Sequence, residues 1–224
     1  MTGYRLRIAL ISDATFGRGD GLAGVVDAEV QHDAYGLPFL GGRALKGLLG
    51  AECADILFVL EKALPRQEAN RWKEAANRLF GVSGGTLRGE AIMRVGPARL
   101  PDDLRAAIAR DVRQGRLTRA DVLESLTALR RQTAMDVETG APKKETLRTM
   151  RVILRNTVFE AALDFTPSPN NDDLALLAAC TKALRRAGTG RNHGRGRLKA
   201  ELCDADGQPV TEIHFEEFRK AVSP

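Results

Sequence analysis

"NDDLALLAACTKALRRAGTGRNHGRGRLKAELCDADG", Asn171 to Gly207, is the stretch whose reading decides the fold. Its first half reads as a helix. Asn171 can cap it, Asp172 and Asp173 suit the positive end of the helix dipole, and Gly188 can stop it. Its last part, "RLKAEL", alternates apolar and polar residues as a strand does and ends in an Asp-Gly turn. Between them lie glycines 188, 190, 194 and 196, interleaved with Arg191, Arg195 and Arg197. A dinucleotide fingerprint needs the opposite order, strand before the glycines and helix after, so that a pyrophosphate meets a helix N-terminus. A P-loop needs Gly-Lys-Ser/Thr opening a helix, and the chain has none. Rossmann and P-loop chemistry are set aside. Two readings of the loop remain: a solvated connection, or a backbone grip in which glycine N–H groups and arginine forks meet phosphates.

Working outward, "YRLRIALIS" (Tyr4–Ser12) alternates at the strand period. "ALKGLLGAECADILFVLEKAL" (Ala44–Leu64) has the helical period and ends before Pro65. "RQEANRWKEAANRLFG" predicts a second, polar helix closed by Gly81, and "GEAIMRVGPARL" a strand. "LTRADVLESLTALRRQ" opens on a capping pattern from Thr118 to Asp121 and predicts a helix to Gln132. "RNTVFEAALDF" is rich in β-branched and aromatic residues and predicts a strand. The strong elements run strand, helix, strand, strand, helix, strand. That is the α+β, ferredoxin-like or RRM-like order, expected here as one domain over residues 1–224 with insertions at about 13–43 and 97–154. Long loops on a rigid sheet are where function concentrates.

Composition bounds the chemistry. The 224 residues are 43% hydrophobic and carry a net charge of +5, which suits a globular chain with a polyanionic partner. Cys53, Cys180 and Cys203 form no CxxC, so no disulfide framework or zinc site is indicated, and they read as buried thiols in a reducing, cytoplasmic setting. No secretory signal or bilayer-length apolar run is present in the sequence, so no membrane is expected. Aromatic residues make up only 5%, so stacking of bases is not the main device.

Three motifs in order, "YGLPFLGGRALKGLLGAE" (Tyr35–Glu52), "RLFG" (Arg78–Gly81) and "GTGRNHGRGRL", resemble those of the RAMP superfamily of CRISPR-associated RNA-binding proteins. "RQTAMDVETGAPKKETLRTMRVILRNTVFEAAL" is similar to the thumb β-hairpin of backbone subunits of type III (Csm/Cmr-like) effector complexes, and "GVVDAEVQHDAYGLPF" to their target-cleaving loop. Gly41 stands where that family usually has proline, and Arg43-Ala44 where it has Ser-Ser; Lys46 and Gly47 match.

The resemblance implies a subunit that holds CRISPR RNA and a complementary target RNA. Its partners would be other effector subunits, a polymerase-like large subunit and copies of itself. It places RNA contacts at Arg43, Lys46, Lys143, Lys144, Arg191, Asn192, His193, Arg195 and Arg197. It puts Asp27 in the position of the catalytic carboxylate, as an endoribonuclease acid working with a divalent cation such as Mg2+. No His/Cys/carboxylate set has metal-site spacing, so metal ligands are not assigned. Two further readings stand beside this one: a non-catalytic binding or capping subunit, and a CRISPR-RNA-processing endoribonuclease using His32 or His193.

Overall fold

The computed structural model describes residues 3–17, 28–82, 90–133 and 148–223. Four strands, β1 (Tyr4–Leu10), β2 (Met93–Val95), β5 (Val158–Phe165) and β6 (Leu198–Cys203), form one antiparallel sheet in the order β2-β5-β1-β6. Helices α1 (Gly42–Ala63), α2 (Arg66–Phe80) and α5 (Asn171–Ala183) join them, giving β-α-β and then β-α-β with β1 central. This is the expected α+β, ferredoxin-like arrangement. Between β2 and β5 come α3 (Asp102–Arg113), α4 (Arg119–Leu126), β3 (Thr127–Gln132) and β4 (Arg148–Ile153); α6 (Thr211–Val222) ends the chain.

Strand alternation decides which face is buried. Leu6, Ile8 and Leu10 of β1, Phe159, Ala161 and Leu163 of β5, and Leu198, Ala200 and Leu202 of β6 all point to one face and are buried. Helix α5 lies on that face with Asp173 to Thr181 buried without a break. That explains why its sequence carries little polar periodicity: it is apolar on nearly every side. The other sheet face is polar. Arg7 there is paired across the ladder with Glu160 on one side and Glu201 on the other.

The "RLFG" motif has a physical role. Leu79 is wholly buried, and Gly81 ends α2 at a φ of 85° that favours glycine. Arg78 pairs at 3.0 Å with the buried carboxylate of Asp173. Asp173 also closes the capping box of α5, accepting from Asn170 N while Asn170 Oδ1 accepts from Asp173 N. The cap is thus Asn170 and not Asn171, because only Asn170 stands outside the helix three residues before Asp173.

Two other expectations are corrected. The segment after Leu126 is strand, not helix: Thr127 Oγ1 donates to Leu123 O and the chain turns into β3, which pairs with β4 from Thr127–Ile153 to Gln132–Arg148. Tertiary pairing overrides the helical propensity of "TALRRQ". Helix α5 ends at Ala183, before Gly188, because Arg186 leaves the helix to bridge Arg197. The hairpin implied by the resemblance is present at its base; residues 134–147, with Lys143 and Lys144, lie outside the described residues.

Candidate nucleic-acid interface

The glycine–arginine loop is held open by backbone hydrogen bonds to the segment following β1. Thr189 N donates to Thr15 O at 2.9 Å and Gly196 N donates to Asp13 O at 2.8 Å. Ser12 Oγ accepts from Arg197 N at 3.0 Å and donates to the Gly194 carbonyl at 3.1 Å. Two glycines make this approach possible. Gly188 and Gly196 have φ of 87° and 67°, and a Cβ on either would drive into a carbonyl oxygen, of Thr15 or of Ala187. Between them Arg191–His193 form one 3-10 turn flanked by Gly190 and Gly194, both left-handed. The result is a loop fixed against the segment after β1. Arg191 and Arg197 are exposed, and Arg195 is half-buried with its guanidinium against the Met150 sulfur.

That contact joins the loop to the hairpin. A groove of about 780 Å³ runs between them, lined by Ser12, Asp13, Arg130, Arg155, His193 and Arg195, among others. Arg130 reaches it from β3 and donates to Asp13 Oδ2 at 2.9 Å. Asp13 Oδ1 accepts from Arg155 N at 3.1 Å, so this carboxylate is occupied. The groove therefore presents several guanidinium groups and exposed backbone to one acid, a setting suited to a polyanion.

The insertion after β1 comes back to the hairpin at β4. Ala28 bridges Met150, and Arg151 N donates to Ala28 O at 3.0 Å. Glu29, only 5% exposed at its side chain, pairs with Arg151, 15% exposed, at 3.0 Å, and also accepts from Val30 N. Arg151 further donates to Thr127 Oγ1. Sequence reading missed this buried pair; the only signal was a glutamate among apolar residues in "DAEV". Asp27 itself lies outside the described residues, while its neighbour Ala28 is fixed at the hairpin base beside Met150.

The remaining candidates sit elsewhere. Lys46 is half-buried, donates to Met93 O at 2.9 Å, and has its pKa lowered by burial, so its ammonium is turned toward β2. Arg43 is exposed in the first turn of α1. That helix starts with no side-chain cap, and Gly42 is required because a Cβ there would drive into the Val95 carbonyl oxygen. His32 has both ring nitrogens within 3.3 Å of Arg119 Nη2. Asp33 accepts from Tyr35 N and Leu37 N, which makes it the cap of a turn. Asn192 stands in the 3-10 turn.

A resident divalent cation finds no built site among the described residues, where no group of three or more His, Cys, Asp or Glu converges. Asp13, the acid that lines the groove, and Glu29 at the hairpin are both engaged by arginine and backbone N–H groups. Among the described residues no helix is long and apolar enough to cross a membrane.

No protein-family model matches the chain, and no curated protein matches it in sequence. Its fold recurs in solved structures. A chain of the "Cryo-EM structure of the Type III-B Cmr-beta bound to cognate target RNA" is similar with a TM-score of 0.58 at 12% identity, covering 89% of this chain and 96% of that one. A chain of the "Type III-B Cmr-beta Cryo-EM structure of the Apo state" gives 0.59, again at 12% identity and the same coverage. At that identity the shared property is the fold.

Proposed function

We propose that this chain is an RNA-binding subunit of a type III CRISPR effector complex, holding guide RNA in the groove between its glycine–arginine loop and its hairpin. The observation that carries the reading is the convergence at one groove of three separate segments: the loop at His193 and Arg195, the hairpin at Arg130, and the segment after β1 at Ser12 and Asp13. Nothing in the packing of the core requires these arginines to gather there. The similarity in fold to chains of Cmr-beta structures, one of them bound to cognate target RNA, supports the same reading. Partners are then CRISPR RNA, complementary target RNA and other effector subunits. The protein grips the phosphate backbone while base pairing reads sequence.

Within that reading Asp27 is the candidate catalytic carboxylate. Its part would be to accept the proton of a ribose 2′-hydroxyl, whose oxygen attacks the adjacent phosphorus and expels the 5′-oxygen, which takes a proton from water. The products are a 2′,3′-cyclic phosphate and a 5′-hydroxyl. The described residues supply no ligand set for a cation, so no step is assigned to one. Removing Asp27 as Asp27→Asn is expected to leave RNA binding unchanged and slow cleavage by the assembled complex by roughly 10²–10⁴-fold.

The binding claim is tested first. Replacing Arg191, Arg195 and Arg197 by glutamate is expected to weaken single-stranded RNA binding whatever its sequence. It should also reduce the slope of log K against log salt by about 2, at roughly 0.7 per lost phosphate contact. Unchanged affinity in a folded variant would return the loop to a solvated connection. Unchanged cleavage by Asp27→Asn, with binding intact, would leave a non-catalytic binding or capping subunit.

A further inference from the structure

The groove does not end at the turn between β4 and β5. Leu154, Arg155 and Asn156, which line part of it, also line a second depression of about 370 Å³. That one is mainly apolar: Leu104 of α3, Leu126 of α4 and Val158 of β5 join Leu154 there. Leu104 is 42% exposed, an unusual place for a large apolar side chain. Leu100 is shared in turn with a third depression, of about 230 Å³, on the polar face of the sheet. Arg5, Arg99 and Arg105 line it together with the small residues Gly96 and Ala162.

The charges along this course are unevenly satisfied. Arg105 pairs with Asp102, whose carboxylate is 87% exposed, and Arg5 reaches Glu160 only at 3.8 Å. Among the described residues no partner engages the guanidinium of Arg99 or of Arg155. An apolar slot thus has an unpaired guanidinium at either end. The turn between is held in one shape: Asn156 N donates to Leu10 O at 2.8 Å, and Thr157 Oγ1 donates to Leu154 O at 2.7 Å. Asn156 takes a left-handed φ of 69°, which asparagine tolerates better than other residues with a Cβ. Cation, apolar floor and cation in sequence match a single nucleic-acid strand lying lengthwise. Its phosphates suit the guanidiniums and its base faces suit the leucines. Along β5, Val158 in the slot and Ala162 in the third depression are about 13 Å apart at the usual strand rise. Arg99 and Arg105 therefore meet only a strand that extends beyond the groove.

We infer that single-stranded RNA held in the groove continues past the β4–β5 turn, lays bases on the leucine slot, and sets phosphates on Arg99 and Arg105. The inference rests on the reading of the groove as an RNA site and extends it across the polar face of the sheet. It gives α3 and α4 a part in binding.

The experiment compares oligouridylates of about 4 and about 12 nucleotides, the range of a single-strand site, on the full chain over a salt series. The parent should hold the longer RNA more tightly and with the steeper salt slope. Arg99→Gln with Arg105→Gln should lower the slope of log K against log salt by about 1.4 on the long RNA, at roughly 0.7 per lost phosphate contact, and leave the short RNA unchanged. Leu104→Asn should weaken the long RNA roughly threefold to tenfold, as expected for uncovering about half a leucine side chain, with the slope unchanged. These side chains are outside the core, so urea unfolding should stay close to that of the parent. An unchanged slope on the long RNA in the double variant would overturn the inference and leave this face to a protein partner. An equal loss on short and long RNA would overturn it too. The groove is judged separately: if glutamate at Arg191, Arg195 and Arg197 leaves the short RNA bound as before, the groove reading fails and the extension falls with it.

Discussion

The loop's rigidity can be measured by comparing Gly196→Ala with Gly194→Ala. Both glycines have left-handed φ, 67° and 79°, so each alanine carries the same backbone penalty of about 1–2 kcal/mol. They differ in surroundings. A Cβ at 194 meets nothing within 4 Å, while one at 196 drives into the Ala187 carbonyl oxygen. That oxygen belongs to the loop's own backbone and cannot rotate away as a side chain would. To relieve the clash the chain must give up hydrogen bonds such as Ala187 N to Gly196 O and Gly196 N to Asp13 O, both under 3 Å. Each contributes about 1 kcal/mol. Gly196→Ala is thus expected to cost about 3–4 kcal/mol and Gly194→Ala about 1–2. Urea unfolding by circular dichroism reads the difference directly. If the two variants agree within about 0.5 kcal/mol, the loop is not pinned to the segment after β1 and the argument fails.

Glu29→Gln should cost about 3 kcal/mol, because it leaves the Arg151 guanidinium buried without its counter-charge. Adding Arg151→Met should recover much of that, which a double-mutant cycle in urea checks. Arg78→Met is expected to cost about 2–3 kcal/mol by uncovering buried Asp173, less than a fully buried pair because the arginine is partly in solvent. Arg71 hydrogen-bonds Asp172 and holds its carboxyl below the ordinary Asp range. A depressed carboxyl contributes stability above its unfolded value near 3.9, and this is lost as pH falls through the folded value. Wild type should therefore exceed Arg71→Met by about 0.5–1 kcal/mol at neutral pH, Arg71 being half in solvent, with the gap closing below about pH 4.

The sheet and its two packed helices were legible because their residues obey local rules. β1 alternates, α1 stops before Pro65, and Gly81 closes α2. What escaped depended on distant partners. β3 reads as the tail of a helix until β4 is beside it, and α3 and α6 lie at the surface, fully burying only Ala109 in one and Thr211 and Phe218 in the other. Gly188 looked like a helix stop, yet its left-handed backbone serves a contact with Thr15, far away in sequence.

The site was legible to a different degree. Arginines at 191, 195 and 197 could be read directly, since a charged loop between helix and strand has few places to go. The groove that Arg195 shares with Arg130 and Arg155 could not, because it exists only once the hairpin stands beside the loop. Glu29 shows why. A carboxylate between Ala28 and Val30 gives no sign of its partner in the sequence, but in the fold it is paired with Arg151 from the hairpin, with Ala28 hydrogen-bonded to that same residue. One buried pair and one backbone bridge therefore tie the insertion to β4, so a displacement of the hairpin base carries Ala28, the residue next to Asp27, with it. On the proposed reading, in which Asp27 cleaves and the hairpin meets RNA, a disturbance of the Glu29–Arg151 pair should reach the cleaving segment. Glu29→Gln should then lower cleavage while leaving Asp27 in the chain, and Arg151→Met in the same background should restore stability without restoring cleavage.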